Sequence, residues 1–318
     1  MAVDLAVSVV AATHNRAARL RLLLDALAAQ TIGTDAFEVV VVDDGSGDET
    51  AEVLAGAAAG GPLALRALAH AEPRGPAAAR NLGWQAARGR FIAFTDDDCR
   101  PDPRWLEALL AASSGRHDRV VQGRTQPDPD EIETLGPFSK TLDLPVQSPH
   151  YETCNILYPR AVLEALDGFD ETYPAPAGED TDLGRRAAGN GVSAVFAPDA
   201  VVSHAVHQVG PSGTLRTALL AAEDLRAYKL NPELRGLLVQ GVFYRRTHPL
   251  LLQALLAAAL TRRTPAAALF AVPYLMNVAG RVRKRRGGPQ HVPFFVLHDA
   301  LEVGATAVGA VRHRVPVI

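Results

Sequence analysis

The sequence predicts an α/β fold, a mostly parallel sheet flanked by helices, with a helical region following it in the chain. Three observations carry that expectation. Short Val-rich apolar runs alternate with helical stretches of about ten to fifteen residues. Polar and acidic clusters follow directly on three of those runs. From about Thr214 onward the chain turns continuously helical.

Taken in order, Val7 to Ala12 reads as a buried strand. Asn15 can cap the next segment, Arg16 to Ala29, whose Leu20, Leu23, Leu24 and Leu27 fall on one stripe. Phe37 to Val42 is a second buried strand, closed by Asp43-Asp44-Gly45-Ser46, and Asp48 to Ala58 is helical again. Leu63 to His70 is a weaker strand, Pro76 to Arg88 a helix, and Arg90 to Thr95 a strand ending in three aspartates. Pro103 to Ser113 is helix. Between Gln122 and His150 the pattern fades into Pro, Asp and Gly, which reads as a loop-rich insertion. Val162 to Leu166, Asp180 to Ala188 and Val192 to Phe196 restore regular structure. Two apolar stretches, Pro249 to Leu260 and Ala266 to Met276, precede a basic cluster from Arg281 to Arg286.

Composition narrows the function. A formal net charge of −3 leaves no global electrostatic footprint for nucleic acid. Two cysteines, Cys99 and Cys154, make no disulfide framework, so a reducing cytoplasmic compartment is expected. Met1-Ala2-Val3-Asp4 lacks a basic region followed by a long apolar core, so no signal peptide is expected.

Ligands of open α/β sheets bind beyond the carboxyl ends of the strands. Three strands deliver polar clusters to that rim: Thr13-His14-Asn15-Arg16, Asp43 to Ser46, and Asp96-Asp97-Asp98. Carboxylates one residue apart at a strand end can share a hard divalent cation such as Mn²⁺ or Mg²⁺, which in turn can hold a diphosphate. The bland alternative is a solvated helix cap before Pro101. Asp43 and Asp44 can accept hydrogen bonds from a base or ribose, or simply form an Asx-turn. Gly45-x-Gly47 lacks the third glycine of a dinucleotide loop, because Thr50 stands there, and the aspartates before it would repel a pyrophosphate. Glu179-Asp180 stabilises a helix start or supplies a general base. His204, after an apolar run, is a structural histidine or completes a carboxylate metal site.

These residues resemble the family-2 glycosyltransferases over about Val7 to His207. Four blocks occur in that family's order. They are Val7 to Val10 leading to Thr13-His14-Asn15-Arg16; Val41 to Ser46 with Asp48 and Thr50; Ala79-Arg80-Asn81-x-Gly83 with Gly89 and the Asp96-Asp97-Asp98 strand end; and Gly168-Phe169-Asp170-Glu171 followed by Glu179-Asp180 with Arg186. The resemblance implies a GT-A fold and inverting transfer of a sugar from a nucleotide-diphosphate donor, with UDP-sugars favoured. It implies an acceptor hydroxyl on a glycan, polysaccharide or lipid-linked carrier. Asp44 would meet the nucleobase, with Thr13 and Asn15 nearby, and Arg16 and Arg80 belong to the donor-binding blocks. Asp96 would lie towards the ribose, Asp98 would bind the Mn²⁺ or Mg²⁺, and His204 is a further ligand. Asp97 makes that register ambiguous, so either neighbour could take part of the other's role. Asp180 would be the base.

Residues 1–212 are then expected to form the catalytic domain, 1–120 binding the nucleotide-sugar and 121–212 the acceptor, with 213–318 a helical accessory region. Each apolar stretch of the accessory region is shorter than the roughly 20 residues that span a bilayer, so a simple transmembrane helix is not expected. A packed bundle or homodimer contact is one reading. A peripheral surface on the inner face of the membrane, with Arg281 to Arg286 meeting anionic lipid, is the other. Two rival functions remain: a nucleotidyltransferase, which would want a glycine- and lysine-bearing loop near the first strand, and a non-catalytic nucleotide-sugar-binding module, which would not need Asp180.

Overall fold

The computed structural model describes residues 5–173 and 177–318 of the chain. Residues 1–4, on which the expected lack of a leader rests, lie outside them. The chain divides into two compact units: Met1–Glu131 with Thr141–Ala205, and Ile132–Lys140 with Val206–Ile318.

The first unit opens β1 (Val7–Thr13), α1 (Ala17–Ala28), β2 (Phe37–Asp44), α2 (Thr50–Gly60), β3 (Leu65–His70), α3 (Pro76–Ala86) and β4 (Phe91–Thr95). It continues with β5 (Cys99–Pro101), α4 (Trp105–Ser113) and β6 (Arg119–Pro127). Within the second unit comes the short β7 (Ser139–Lys140). The first unit then resumes with β8 (Asn155–Pro159), α5 (Arg160–Leu166), α6 (Glu179–Gly189) and β9 (Ser193–His204).

Eight of these strands form one sheet in the order β3-β2-β1-β4-β8-β6-β9-β5. β3, β2, β1 and β4 run parallel, as do β6 and β9, while β8 is antiparallel to both its neighbours and β5 to β9. Strands covered on both faces should be apolar throughout, and every residue of β2 and β4 is buried. Alternation then divides the core. Val7, Val9, Ala11, Val39 and Val41 pack with Leu20, Leu23 and Leu27 of α1 and Trp105 and Leu109 of α4. Val10, Val40, Ile92 and Phe94 pack on the other face with Trp84 of α3, Leu163 of α5 and Leu183 of α6.

The stretch read as loop from Gln122 contains part of a central strand. β6 escapes a hydrophobicity reading because Gln122, Gly123, Arg124 and Thr125 interrupt it. Gln122 is satisfied internally: its amide donates to Ser148 O at 3.0 Å and its carbonyl accepts from Ser148 N at 2.8 Å. Gly123 is required, since a Cβ there would sit 2.4 Å from Ala200 O and 2.3 Å from Asn155 Oδ1. β8 was also unannounced by the sequence, being five residues long and ending in Pro159, yet it is wholly buried.

Asn15 does not cap α1. It has φ +54°, and its Oδ1 accepts from Gly47 N at 2.7 Å. Asp48 Oδ2 instead receives the first helical amide, Ala17 N, at 3.1 Å. The cap is therefore non-local, from the loop after β2.

In the second unit β7 pairs antiparallel with β10 (His207–Gln208). Four helices follow: α7 (Gly210–Leu230), α8 (Thr247–Thr261), α9 (Val272–Lys284) and α10 (Val292–His313). Leu225 and Tyr228 pack with Val315 and Val317, and Leu251 packs with Tyr274, Val278, Val282 and Phe295. The stretch Ala266 to Met276 is split between a 3-10 helix, Pro265–Ala271, and α9. Leu255, Leu256, Leu269, Phe270, Leu275 and Met276 are exposed.

The longest apolar helix coincides with neither stretch singled out from sequence. Pro289–His313 is 25 residues, long and apolar enough to cross a membrane by length and composition. Within it Asp299 and Glu302 are buried and paired with Arg281 and Arg245.

Candidate active site

The register of the first unit decides what meets at the rim. Thr13 lies opposite Asp43, Asp44 opposite His70, and Val10 opposite Phe94 one residue before the end of β4. The β1, β2 and β4 termini therefore lie side by side, and the polar residues after each share one edge.

The three aspartates do not form a solvated helix cap. Asp97 and Asp98 are buried and turn the chain into β5. Asp97 Oδ2 accepts from the Thr13 hydroxyl at 2.8 Å, and Arg16 Nη1 donates to Asp97 Oδ1 at 2.8 Å and Asp98 Oδ2 at 2.7 Å. Burial pushes the Asp97 carboxyl up to about 6, with the Asp98 charge adding to burial and the Arg16 charge opposing it. Two of the three like charges are thus held by one guanidinium. Asp96 turns away to another, Arg80 Nη2, at 3.0 Å.

Asp98 Oδ1 faces His204. The His204 Nδ1 lies 2.9 Å from the Ala205 carbonyl, so it must carry the proton that donates there. In the neutral ring Nε2 is then the lone-pair nitrogen, and it stands 3.7 Å from Asp98 Oδ1. Two acceptors facing each other across that gap repel unless a cation or proton lies between them. An imidazole fixed by a carbonyl and opposed by a carboxylate is a donor set that suits Mn²⁺ and also accepts Mg²⁺.

Arg80, on α3, links the strand end to α6. Besides Asp96, its Nη1 reaches Glu179 Oε1 at 3.1 Å and Asp180 Oδ1 at 3.4 Å, and the guanidinium lies over the Phe169 ring. These carboxylates hold its pKa above the ordinary arginine value against burial. Asp180 Oδ2 also accepts from Thr153 N and Oγ1, both at 3.0 Å. Burial, then the adjacent Glu179 charge, pushes the Asp180 carboxyl up to about 8 despite Arg80. Of the acidic pair, Asp180 is the accessible one, with 22% of its side chain exposed against 5% for Glu179.

Asp44 is anchored more firmly than an Asx-turn would require. Its Oδ1 accepts from Arg74 N at 2.9 Å and lies 2.7 Å from His70 Nδ1, while Oδ2 accepts from Gly75 N at 2.8 Å. Burial raises its pKa, but those donors outweigh it and hold the carboxyl below the usual range. The Asx-turn falls to Asp43, which receives Ser46 N at 2.9 Å. Asn15 joins this side: its N–H donates to Ser46 Oγ at 2.8 Å, beside the Gly47 bond already described.

Thr13, Arg16, Asp97, Asp98 and His204 thus form one connected cluster, and Arg80, Asp96 and Asp180 another. Asn15 sits in the loop after β1, and Asp44 is the last residue of β2. Sequence reading missed Thr153, which orients Asp180 but falls in no motif. It also missed His70, whose position at the end of β3 opposite the end of β2 was the available signal.

The family model described as Glycosyl transferase family 2 matches residues 8–166. Validoxylamine A glucosyltransferase of Streptomyces hygroscopicus subsp. jinggangensis is 27% identical, over 58% of this chain and 52% of that relative. Glycosyltransferase AglE of Haloferax volcanii is 28% identical, over 64% of this chain and 68% of its own. The match spans only about half the length of the validoxylamine relatives. Among solved structures, the mannosyltransferase PcManGT of Pyrobaculum calidifontis, in complex with GDP-Man and Mn²⁺, aligns with TM-score 0.62 at 22% identity, covering 98% of this chain and 88% of that one. TarS of S. aureus with UDP-GlcNAc aligns with TM-score 0.55 at 19% identity, covering 97% and 92%. Likeness at that identity shows the fold, which is the GT-A type expected from the sequence.

Proposed function

Because the chain belongs to glycosyl transferase family 2, we propose that it transfers a sugar from a nucleotide-diphosphate donor to an acceptor hydroxyl with inversion. The observation that carries this reading is the rim itself. Asp44 and the Asp96 to Asp98 turn stand at the carboxyl ends of neighbouring parallel strands, Arg16 holds Asp97 and Asp98, and Arg80 ties Asp96 to Asp180 of α6.

Asp98 and His204 are the residues that would hold a divalent cation, with His207 three residues further along the chain. Such a cation would offset the charge that develops on the departing nucleoside diphosphate. Arg16 and Arg80 place two further cationic groups among the carboxylates of the same edge. Asp44, with Thr13 and Asn15 nearby, meets the base, Asp96 lies towards the ribose, and Asp97 shares the donor side with its neighbours. Asp180 accepts the proton of the acceptor hydroxyl. The acceptor oxygen bonds to the anomeric carbon as the bond to the diphosphate oxygen breaks, so the configuration inverts in one step. Thr153 fixes one carboxylate oxygen and Arg80 approaches the other, which orients the base without a covalent intermediate.

UDP-sugars are the favoured donors, since TarS was solved with UDP-GlcNAc; PcManGT, with GDP-Man, makes guanosine donors the necessary comparison. We read the exposed apolar side chains of α8, the 265–271 turn and α9 as a peripheral membrane surface, which would suit a lipid-linked acceptor; a homodimer contact is the other reading of the same exposure. A thermal-shift screen of nucleotide sugars with Mn²⁺, followed by a donor-turnover assay, tests the function. Stabilisation by one donor class with turnover lost in Asp180→Asn supports it. Stabilisation with no turnover towards water or any acceptor would make the chain a binding module instead.

A further inference from the structure

A cavity of about 550 Å³ is lined entirely by residues of the C-terminal helical unit. Its walls carry Arg245, Arg246, Arg281 and Arg285, with Glu302 as the lining carboxylate and Thr247 at its side. The acids nearby are already engaged. Glu302 accepts from Arg245 Nε at 2.8 Å, and Asp299, which does not line the cavity, takes both Nη groups of Arg281 and the Tyr274 hydroxyl. Among the described residues neither Arg246 nor Arg285 has a carboxylate partner. Arg285 lies over the Phe295 ring at 5.4 Å and reaches only a backbone carbonyl, Pro137 O, at 3.4 Å. Repulsion from Arg281 and Arg245 adds to burial in lowering its pKa, as expected of a cation without a counter-charge.

A second observation points the same way. The Thr247 hydroxyl is buried and has no hydrogen-bond partner. Such groups are uncommon in folded proteins and call for a ligand or a water. His298, Asp299 and Glu302 come close enough to suggest a metal site. With both carboxylates held by arginines, the local charge favours an anion instead.

We propose that this cavity binds a phosphate- or diphosphate-bearing ligand. Guanidinium groups match phosphate oxygens with paired hydrogen bonds, and Arg246 and Arg285 are the two with that capacity to spare. The volume falls in the range of sites for whole small molecules, so the ligand carries an organic body beyond its phosphate. That body is either a soluble phosphorylated compound or the head of a phospholipid. The inference stands independently of the donor site, which belongs to the other unit.

The test uses the full chain in EDTA, with inorganic pyrophosphate titrated by calorimetry. Arg246→Ala and Arg285→Ala should each weaken binding about tenfold, Arg285→Lys less, because the charge stays and the planar fork is lost. Arg263→Ala, at an exposed arginine outside the cavity, should bind pyrophosphate like the wild type, so that loss of binding tracks the cavity arginines. Sedimentation with phosphatidylcholine vesicles containing phosphatidic acid, against phosphatidylcholine alone, distinguishes the sources. Arginine-dependent sedimentation assigns a lipid head, and pyrophosphate binding without it assigns a soluble ligand. Circular dichroism confirms that the variants fold. The proposal is overturned if pyrophosphate fails to bind, or binds the Arg246→Ala/Arg285→Ala double variant as tightly as the wild type.

Discussion

Changing Asp180 to Asn keeps the volume of the side chain and removes its ability to take a proton. The Asn carbonyl can still accept from Thr153 N and Oγ1, each 3.0 Å away from the native Oδ2. The new amide then faces Arg80, whose contact with Asp180 Oδ1 was already long at 3.4 Å, while Asp96 and Glu179 continue to hold that guanidinium. Donor affinity should therefore stay within a few-fold. The transfer rate should fall roughly 10²-fold or more, about 2.7 kcal/mol of transition-state stabilisation. The raised carboxyl sharpens the test. A base displaced to about 8 is ionised in only about one molecule in ten at pH 7. Wild-type kcat/KM should rise nearly tenfold per unit below pH 8 and level off above it, since activity needs the ionised form. Stability runs the opposite way. The folded state binds the proton more tightly than the unfolded chain, so this group's contribution is full below pH 4 and is lost as pH rises through about 8. Asp180→Asn should flatten both profiles. Calorimetric donor titration beside initial-rate measurements from pH 6 to 9 decides it. A collapse of donor affinity with kcat unchanged would refute the assignment and make Asp180 a binding residue, with Glu179 the next candidate despite its burial.

Turnover should require a divalent cation and be abolished in Asp98→Ala; full activity in excess chelator would exclude the Asp98–His204 site. Asp44→Ala should weaken nucleoside diphosphate binding without altering metal affinity measured alone, and should also lower stability by about 1–3 kcal/mol, because Arg74 N and Gly75 N lose their acceptor; calorimetry and denaturant melts check the two effects separately, and unchanged nucleotide affinity removes Asp44 from the site. Arg80→Ala leaves Asp96, Glu179 and Asp180 without their shared cation, so it should destabilise by about 3–5 kcal/mol; denaturant melts measure the loss, and an unchanged midpoint would contradict the pairing. Gly45→Ala, at φ +71° with its Cβ 2.8 Å from Pro73 N, should lower thermal stability by about 1–3 kcal/mol and loosen the turn after β2; an unchanged melting temperature would contradict that strain.

Local chemistry made much of this protein legible before any coordinates. Buried parallel strands must be apolar on both faces, so Val39 to Val42 and Phe91 to Phe94 announced themselves, and the acids after them had nowhere to go but the rim. β6 and β8 were silent for the converse reason. A strand whose polar side chains are satisfied by distant backbone, as Gln122 is by Ser148, carries no periodic signal. α10 passed unnoticed because its apolar run is broken by His298, Asp299 and Glu302, which long-range pairing with Arg281 and Arg245 makes tolerable. The sequence by itself determined which residue types stand at the strand ends. Only the tertiary structure decided which oxygen faces which partner. Arg16 takes one side of Asp98 and His204 the other, and Arg80 joins Asp96 to Asp180 across 84 residues of chain. Charge pairing of that kind depends on ångström-scale distances between elements remote in sequence, and no spacing along the chain encodes them.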